Sequence, residues 1–171
     1  GNHFMHACRR NVDLTYVVMD NRVYGMTKGQ ASPTTEPDWD NALTPGGSGI
    51  SPFKPLVIAL AAGANFIARG FSGDQNGTAR LLKEAIEHPG FSFVHILSPC
   101  VTFRPNQKTW KEEIHDAAVD PTDEAGRAAR RLMTDDGFNV GVLYRGQREA
   151  YQPPIGEAGA SVADLEGKFA L

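Results

Sequence analysis

Asn21 and Val23 stand where an apolar run gives way to polar and glycine residues, in the string Asp20-Asn21-Arg22-Val23-Tyr24-Gly25-Met26-Thr27-Lys28-Gly29-Gln30. A magnesium ion that holds a diphosphate takes hard oxygen ligands in octahedral array. The Asn21 side-chain oxygen and the Val23 backbone carbonyl can supply two of them from a chain leaving a strand. Gly25 and Gly29 let the backbone approach a phosphorylated ligand with no side chain intervening. A carboxylate is still needed, so the segment reads as one half of a split metal-diphosphate site. Asn, Gly and Asp also gather at plain turns for conformational reasons, and a simple strand-to-turn exit is the other reading.

Cys100 is the second residue with chemistry to offer. It follows the bulky run Phe91-Ser92-Phe93-Val94-His95-Ile96-Leu97 and sits beside Pro99, at the end of an expected strand. A cysteine there is either a buried small hydrophobe or a thiolate ligand, and an iron-sulfur cluster requires about four thiolates. The chain has two cysteines in all. They do not imply a disulfide, and the composition points to a reducing cytoplasm. His3 and His6 fall on nearly one helix face, but two ligands without a carboxylate or cysteine partner do not make a metal site. His88, His95 and His115 have no assignable chemistry at this level.

The run from Asn21 through Gly25-Met26-Thr27-Lys28-Gly29-Gln30-Ala31-Ser32-Pro33-Thr34 resembles the thiamine diphosphate motif of the beta subunit of 2-oxoacid:ferredoxin oxidoreductases, most like the 2-oxoglutarate type. Gly1-Asn2-His3-Phe4-Met5-His6-Ala7-Cys8-Arg9-Arg10-Asn11 is similar to the helix that precedes that motif. The resemblance implies that Asn21 and Val23 bind magnesium and that Tyr24, Gly25, Met26 and Thr27 contact the cofactor. It implies that Lys28 pairs with the substrate carboxylate. Ser98-Pro99-Cys100-Val101-Thr102-Phe103 resembles the family element carrying the last ligand of a 4Fe-4S cluster, with the remaining ligands outside this chain. Cys8 falls where the family tolerates other residues and is read as helix packing.

The family's Gly-Asp-Gly element, which gives the metal its carboxylate, lies roughly 25 to 30 residues before the asparagine. Counting back from Asn21 runs off the chain, so the expectation is the C-terminal portion of a longer subunit, an N-terminally incomplete fold that is inactive alone. The implied activity is oxidative decarboxylation of a 2-oxoacid to acyl-CoA. Coenzyme A is the co-substrate, ferredoxin the electron acceptor and an alpha subunit the partner. A pyruvate-type or other 2-oxoacid:ferredoxin oxidoreductase, and a non-catalytic assembly fragment when isolated, are the alternatives.

These residues need a scaffold that presents strand ends. Leu14-Thr15-Tyr16-Val17-Val18-Met19 has the character of a buried parallel strand, and ligand sites in such sheets lie at the carboxyl ends of strands. Helix and strand alternate along the chain: a helix over 2–10, strands over 14–19, 65–69, 91–97 and 139–144, and helices over 56–62, 78–87, 108–116 and 123–136. That order predicts an α/β fold with a doubly wound, mostly parallel sheet, here of the thiamine diphosphate-binding kind. Asp74 or Thr78 is a candidate cap for the third helix, and Thr122 for the last. The stretch from Met26 to Phe53, rich in Pro, Gly, Ser and Thr, is a loop of a length associated with function. Residues 1–148 are expected to form the domain and 149–171 a tail that contacts a partner.

The 171 residues, 41% hydrophobic, suffice for one core. The net charge of -3, with both signs interspersed, leaves no electrostatic footprint for nucleic acid. No apolar run approaches the length of a membrane span.

Overall fold

A computed structural model describes residues 1–117, 121–153 and 166–167. Its centre is a five-stranded sheet of order β1-β3-β2-β5-β4, where β1 is Leu14–Asp20, β2 Phe66–Phe71, β3 Phe91–Leu97, β4 His115–Asp116 and β5 Asn139–Arg145. β1, β3 and β2 run parallel, β5 is antiparallel to β2, and β4 is parallel to β5. The doubly wound, mostly parallel α/β architecture expected from the alternation is what forms.

Alternation of side chains along each strand assigns the two faces. Ile67, Phe91, Phe93 and Leu143 point to the face covered by α1 (Asn2–Arg10), α2 (Pro55–Ala61) and α5 (Ala125–Thr134), which contribute Cys8, Leu56, Leu60, Ala128 and Leu132. Phe66, Ala68, Val94 and Ile96 point to the other, where α3 (Gln75–Glu87) packs Leu81, Leu82 and Ala85. β3, in the interior of the sheet, is buried at all seven positions, His95 included.

Local chemistry explains the element ends. Pro55 occupies the first turn of α2, where a missing N–H costs nothing. Asp74 caps α3 by accepting the Gly77 amide at 2.9 Å, while Thr78 donates its hydroxyl back to the Phe71 carbonyl. α1 stops at Asn11, which is left-handed at φ 52. The Asn11 side chain is fully buried, accepts the Phe91 amide and donates to the Glu149 carbonyl, and the Tyr151 amide donates to the Asn11 carbonyl. The start of the expected tail is therefore fastened to the domain by this chain itself. Most of the expected tail, residues 154–165 and 168–171, lies outside the described residues.

Two expected helices change. The stretch 108–116 is not one helix: Pro105–Thr109 forms a 3-10 turn, α4 covers only Trp110–Glu113, and His115 and Asp116 pair with β5. Ile114 turns extended at ψ 130, and strand pairing overrides the helix-forming composition. Thr122 does not cap α5. Its hydroxyl accepts the Glu124 amide at 3.1 Å in a local turn, and Glu124 holds the N-cap position.

The strand ends meet at one rim. Ser98 donates its amide to Asp20 and Ser72 donates to Leu97, each at 2.9 Å, so the exits of β1, β3 and β2 lie side by side. Replacing the cap by Asp74→Ala should lower stability by about 1 kcal/mol in chemical denaturation; an unchanged midpoint would remove the cap from the account of α3.

Candidate functional site

β1 ends on Asp20, whose carboxylate is buried. Oδ2 lies 3.0 Å from His95 Nε2, and Oδ1 accepts the Arg22 amide at 2.9 Å and the Thr34 hydroxyl at 2.6 Å. The next residue repeats the pattern, because Asn21 Oδ1 accepts the Val23 amide at 3.1 Å. Two side-chain-to-backbone turns thus overlap at the strand exit, with Arg22 between them at φ 51. Tyr24 and Gln30 then form an antiparallel bridge that closes the loop carrying Gly25, Met26, Thr27, Lys28 and Gly29. Gly29 has φ 91, and a Cβ there would lie 3.0 Å from the Phe103 ring.

The second wall comes from the exit of β3. Gln107 is buried and bridges the two walls: its Nε2 donates to the Asn21 carbonyl at 2.8 Å and its Oε1 accepts the Cys100 amide at 2.7 Å. Arg104, also buried, donates to the Arg22 carbonyl and to Glu36, which takes a second arginine, Arg22, at 2.9 Å. Arg104 lies over the Trp39 ring and Arg22 over Trp110, so both tryptophans of the chain stack on this network.

Between the walls is a cleft of about 740 Å³ lined by Asn21, Val23, Tyr24, Gly25, Met26, Thr27 and Cys100, with Gln30, Thr102 and Phe103 completing it. Every residue expected at the cofactor or metal lines it. Cys100 Sγ is 3.7 Å from where a Cβ on Gly25 would be. Lys28 is the exception: it is exposed at φ 70 and does not line the cleft.

The donor set suits half of a magnesium-diphosphate site. The Val23 carbonyl accepts no hydrogen bond among the described residues, and Asn21 Oδ1 keeps a second lone pair beyond its turn. Gly25 leaves the cleft floor free of a side chain. No group of three or more His, Cys, Asp or Glu among the described residues is placed to hold a metal by itself.

Cys8 is far from this chemistry. It is fully buried in the core on the helical face, and burial pushes its thiol up to about 11, so it stays a neutral packing group.

Reading the sequence missed Asp20, His95, Glu36, Arg104 and Gln107. Of these only His95 carries a signal: a histidine inside an apolar strand needs a polar partner. It had no assignable chemistry from the sequence, and the structure pairs it with Asp20.

The fold and the cleft define a cofactor-binding α/β domain. Residues 1–96 match the family model described as thiamine pyrophosphate enzyme, C-terminal TPP binding domain, and the chain belongs to that family. The pyrophosphate is the same cofactor as thiamine diphosphate. Among curated proteins the chain is 45% identical over 103 residues to 2-oxoglutarate oxidoreductase subunit KorB of Mycobacterium tuberculosis, covering 60% of this chain and 28% of that one. It is 37% identical over 171 residues to 2-oxoglutarate synthase subunit KorB of Methanothermobacter thermautotrophicus, covering 100% of this chain and 60% of that one. Among solved structures it superposes on the 2-oxoglutarate:ferredoxin oxidoreductase of Magnetococcus marinus, solved with 2-oxoglutarate, coenzyme A and succinyl-CoA bound. The TM-score is 0.87 at 31% identity, over 100% of this chain and 63% of that one. The chain thus spans less than two thirds of each of these relatives.

Burial works against the charge on Asp20 and on Glu36. It is outweighed at Asp20 by hydrogen bonds from His95, Thr34 and the Arg22 amide, and at Glu36 by Arg22 and Arg104, so both carboxyls titrate below their ordinary values. Their stabilising contribution is complete above the unfolded carboxylate range near ~4 and is lost as pH falls through the lower folded values. Tryptophan fluorescence should stay flat as pH falls from about 8 to about 5 and change only below about 4. Glu36→Gln should diminish that change. A transition already complete above about 5 would contradict the depressed carboxyls.

Proposed function

We propose that this chain forms the cofactor-binding part of the beta subunit of a 2-oxoacid:ferredoxin oxidoreductase acting on 2-oxoglutarate. The convergence of the Asn21–Thr27 loop and Cys100 on one cleft carries this reading, because a group that releases electrons and a cluster that accepts them must lie close together. The similarity to subunits named for 2-oxoglutarate supports that substrate.

In this reading Asn21, through its side chain, and Val23, through its carbonyl, ligate magnesium. A carboxylate from a Gly-Asp-Gly element elsewhere in the enzyme completes the set. Tyr24, Gly25, Met26 and Thr27 border the diphosphate and the rings attached to it. Thiamine diphosphate supplies the carbon nucleophile and the electron sink for loss of carbon dioxide. Cys100 is one ligand of a 4Fe-4S cluster whose other thiolates come from outside this chain, and Cys8 takes no part. Such a cluster would supply one-electron transfer toward ferredoxin, and coenzyme A would be the acyl acceptor.

Lys28 is the candidate for the substrate carboxylate. Its ammonium makes no hydrogen bond or ion pair among the described residues, and the left-handed loop tip projects it outward. It would reach the substrate from across an interface with the alpha subunit. A compact ammonium charge suits that pairing. The proposal also places the enzyme in a reducing cytoplasm, where a cluster thiolate persists. No described helix is long and apolar enough to cross a membrane.

One observation favours treating the chain as an assembly module when alone. β1 is an edge strand that leaves Leu14, Tyr16, Val17 and Met19 exposed, Met19 at 65%. An unpaired apolar edge depends on a partner to cover it.

The reading is tested in the complete enzyme by anaerobic reduction of ferredoxin or a viologen dye, with coenzyme A and either 2-oxoglutarate or pyruvate. Reduction that requires both coenzyme A and 2-oxoglutarate is expected; preference for pyruvate would move the substrate assignment. Asn21→Ala should weaken magnesium-dependent thiamine diphosphate binding about tenfold or more, roughly 1.4 kcal/mol, and unchanged affinity would sink the ligand assignment. Cys100→Ser should lower iron content and bleach the cluster spectrum while cofactor binding stays near wild type. A normal spectrum would take Cys100 out of the ligand set.

A further inference from the structure

Asp20 and His95 do not line the cleft that holds the expected cofactor and metal groups; they line an adjoining cavity of about 400 Å³ that shares Asn21, Val23 and Tyr24 with it, and they fix the cleft's most demanding turn. Asp20 contacts three donors that come from three places: the Arg22 amide one turn ahead, the Thr34 hydroxyl where the long loop returns, and His95 on β3. The strands β1 and β3 are in register with Val18 opposite His95, so the imidazole reaches Asp20 two residues further along. β3 is buried throughout, which makes His95 a rigid anchor. Its Nδ1 is buried with no partner among the described residues, so the hydrogen bonding of the ring is directed through Nε2 to Asp20.

The backbone beyond Asp20 needs that anchor. Arg22 bears a side chain and is nevertheless left-handed, a conformation that side-chain-bearing residues avoid and that local hydrogen bonds must hold. The bond from the Arg22 amide to Asp20 Oδ1 is the nearest such hold, and the Asn21-to-Val23 turn overlaps it. Together they set where the Asn21 side-chain oxygen and the Val23 carbonyl sit relative to each other.

We propose that Asp20 and His95 form a positioning pair that presets the metal-diphosphate turn at residues 21–23, so that cofactor affinity depends on two side chains that do not line the cofactor cleft. This rests on the reading of the cleft given above. His95 donates from Nε2 to the Asp20 carboxylate, whose other oxygen holds the turn. Without that donor the buried carboxylate reorients toward solvent, the Arg22 amide loses its acceptor, and the two expected metal ligands lose their fixed spacing.

The test uses the complete enzyme with its partner subunits and the variants His95→Leu, His95→Gln and Asp20→Ala. One readout needs no cofactor: hydrogen-deuterium exchange of the segment 21–36. The other is the affinity for thiamine diphosphate with magnesium, measured by titration calorimetry. His95→Leu should speed exchange in 21–36 while leaving β2 and β5 protected, and should weaken affinity about tenfold. His95→Gln, whose amide N–H can still reach Asp20, should recover most of both. The KM for the 2-oxoacid at saturating cofactor should not move.

Wild-type exchange and affinity in His95→Leu, or a glutamine variant as impaired as the leucine variant, would overturn the proposal. If His95→Leu does not fold, Asp20→Ala, which removes the acceptor of the Arg22 amide, decides: faster exchange in 21–36 with weaker affinity supports the pair, and wild-type values of both refute it. Absence of thiamine diphosphate binding in the wild-type enzyme would strike the functional reading instead, and the exchange comparison would still decide the positioning role.

Discussion

A carboxylate buried at the exit of a strand is unfavourable unless every oxygen is answered, and Asp20 is answered three times. Burial of an isolated charge is costly, and hydrogen bonds to the charged form are what make it tolerable. The requirement runs outward from that point. It places a histidine inside a strand of phenylalanines, brings Thr34 of the long loop back over the β1 exit, and holds Arg22 in a backbone conformation it would not otherwise adopt. The cleft beside it inherits its shape from this constraint.

Around that centre the loop between β1 and α2 is ordered without helix or strand. Its rigidity comes from charge pairs and rings. Glu36 joins Arg22 and Arg104, and each arginine then lies on an aromatic face, Trp110 and Phe138 for one and Trp39 for the other. Arginine suits both contacts because its planar guanidinium can donate sideways and stack at the same time. Gln107 performs the neutral counterpart, one amide bridging the Asn21 carbonyl and the Cys100 amide. The Asn21 loop and the Cys100 loop are therefore tied to each other through one buried side chain.

The same architecture fits the proposed role as one component of a larger enzyme. On the proposed reading two oxygens of the Asn21-Val23 turn would make a fraction of an octahedral shell and the Cys100 thiolate a fraction of a cluster, while β1 stands at one edge of the sheet with no strand beyond it among the described residues. Each would then be a half-site. An enzyme assembled from such halves gains its reacting geometry only when the complementary pieces are in place.

The sequence alone determined the fold class and the strand that leads to the Asn21 turn, which follow from local rules: apolar runs that form strands and glycines that admit close approach. The remaining loop residues of the cleft and Cys100 were singled out by the family resemblance, carried by a pattern packed into a few consecutive residues. The sequence also narrowed the cap of α3 to Asp74 or Thr78, since a cap is settled within a few residues, and the fold chose Asp74. Tertiary structure alone decided the partners. His95 lies 75 residues from Asp20, and Gln107 lies 86 residues from Asn21. Nothing local distinguishes a histidine that anchors a carboxylate from one that fills space, or marks a glutamine that joins two loops. The strand at His115–Asp116 was hidden for the same reason, because its partner β5 lies beyond α5 and the pairing, not the composition, made it a strand. Local preference is written in neighbouring residues, whereas a buried polar group takes its meaning from whatever the folded chain brings to it.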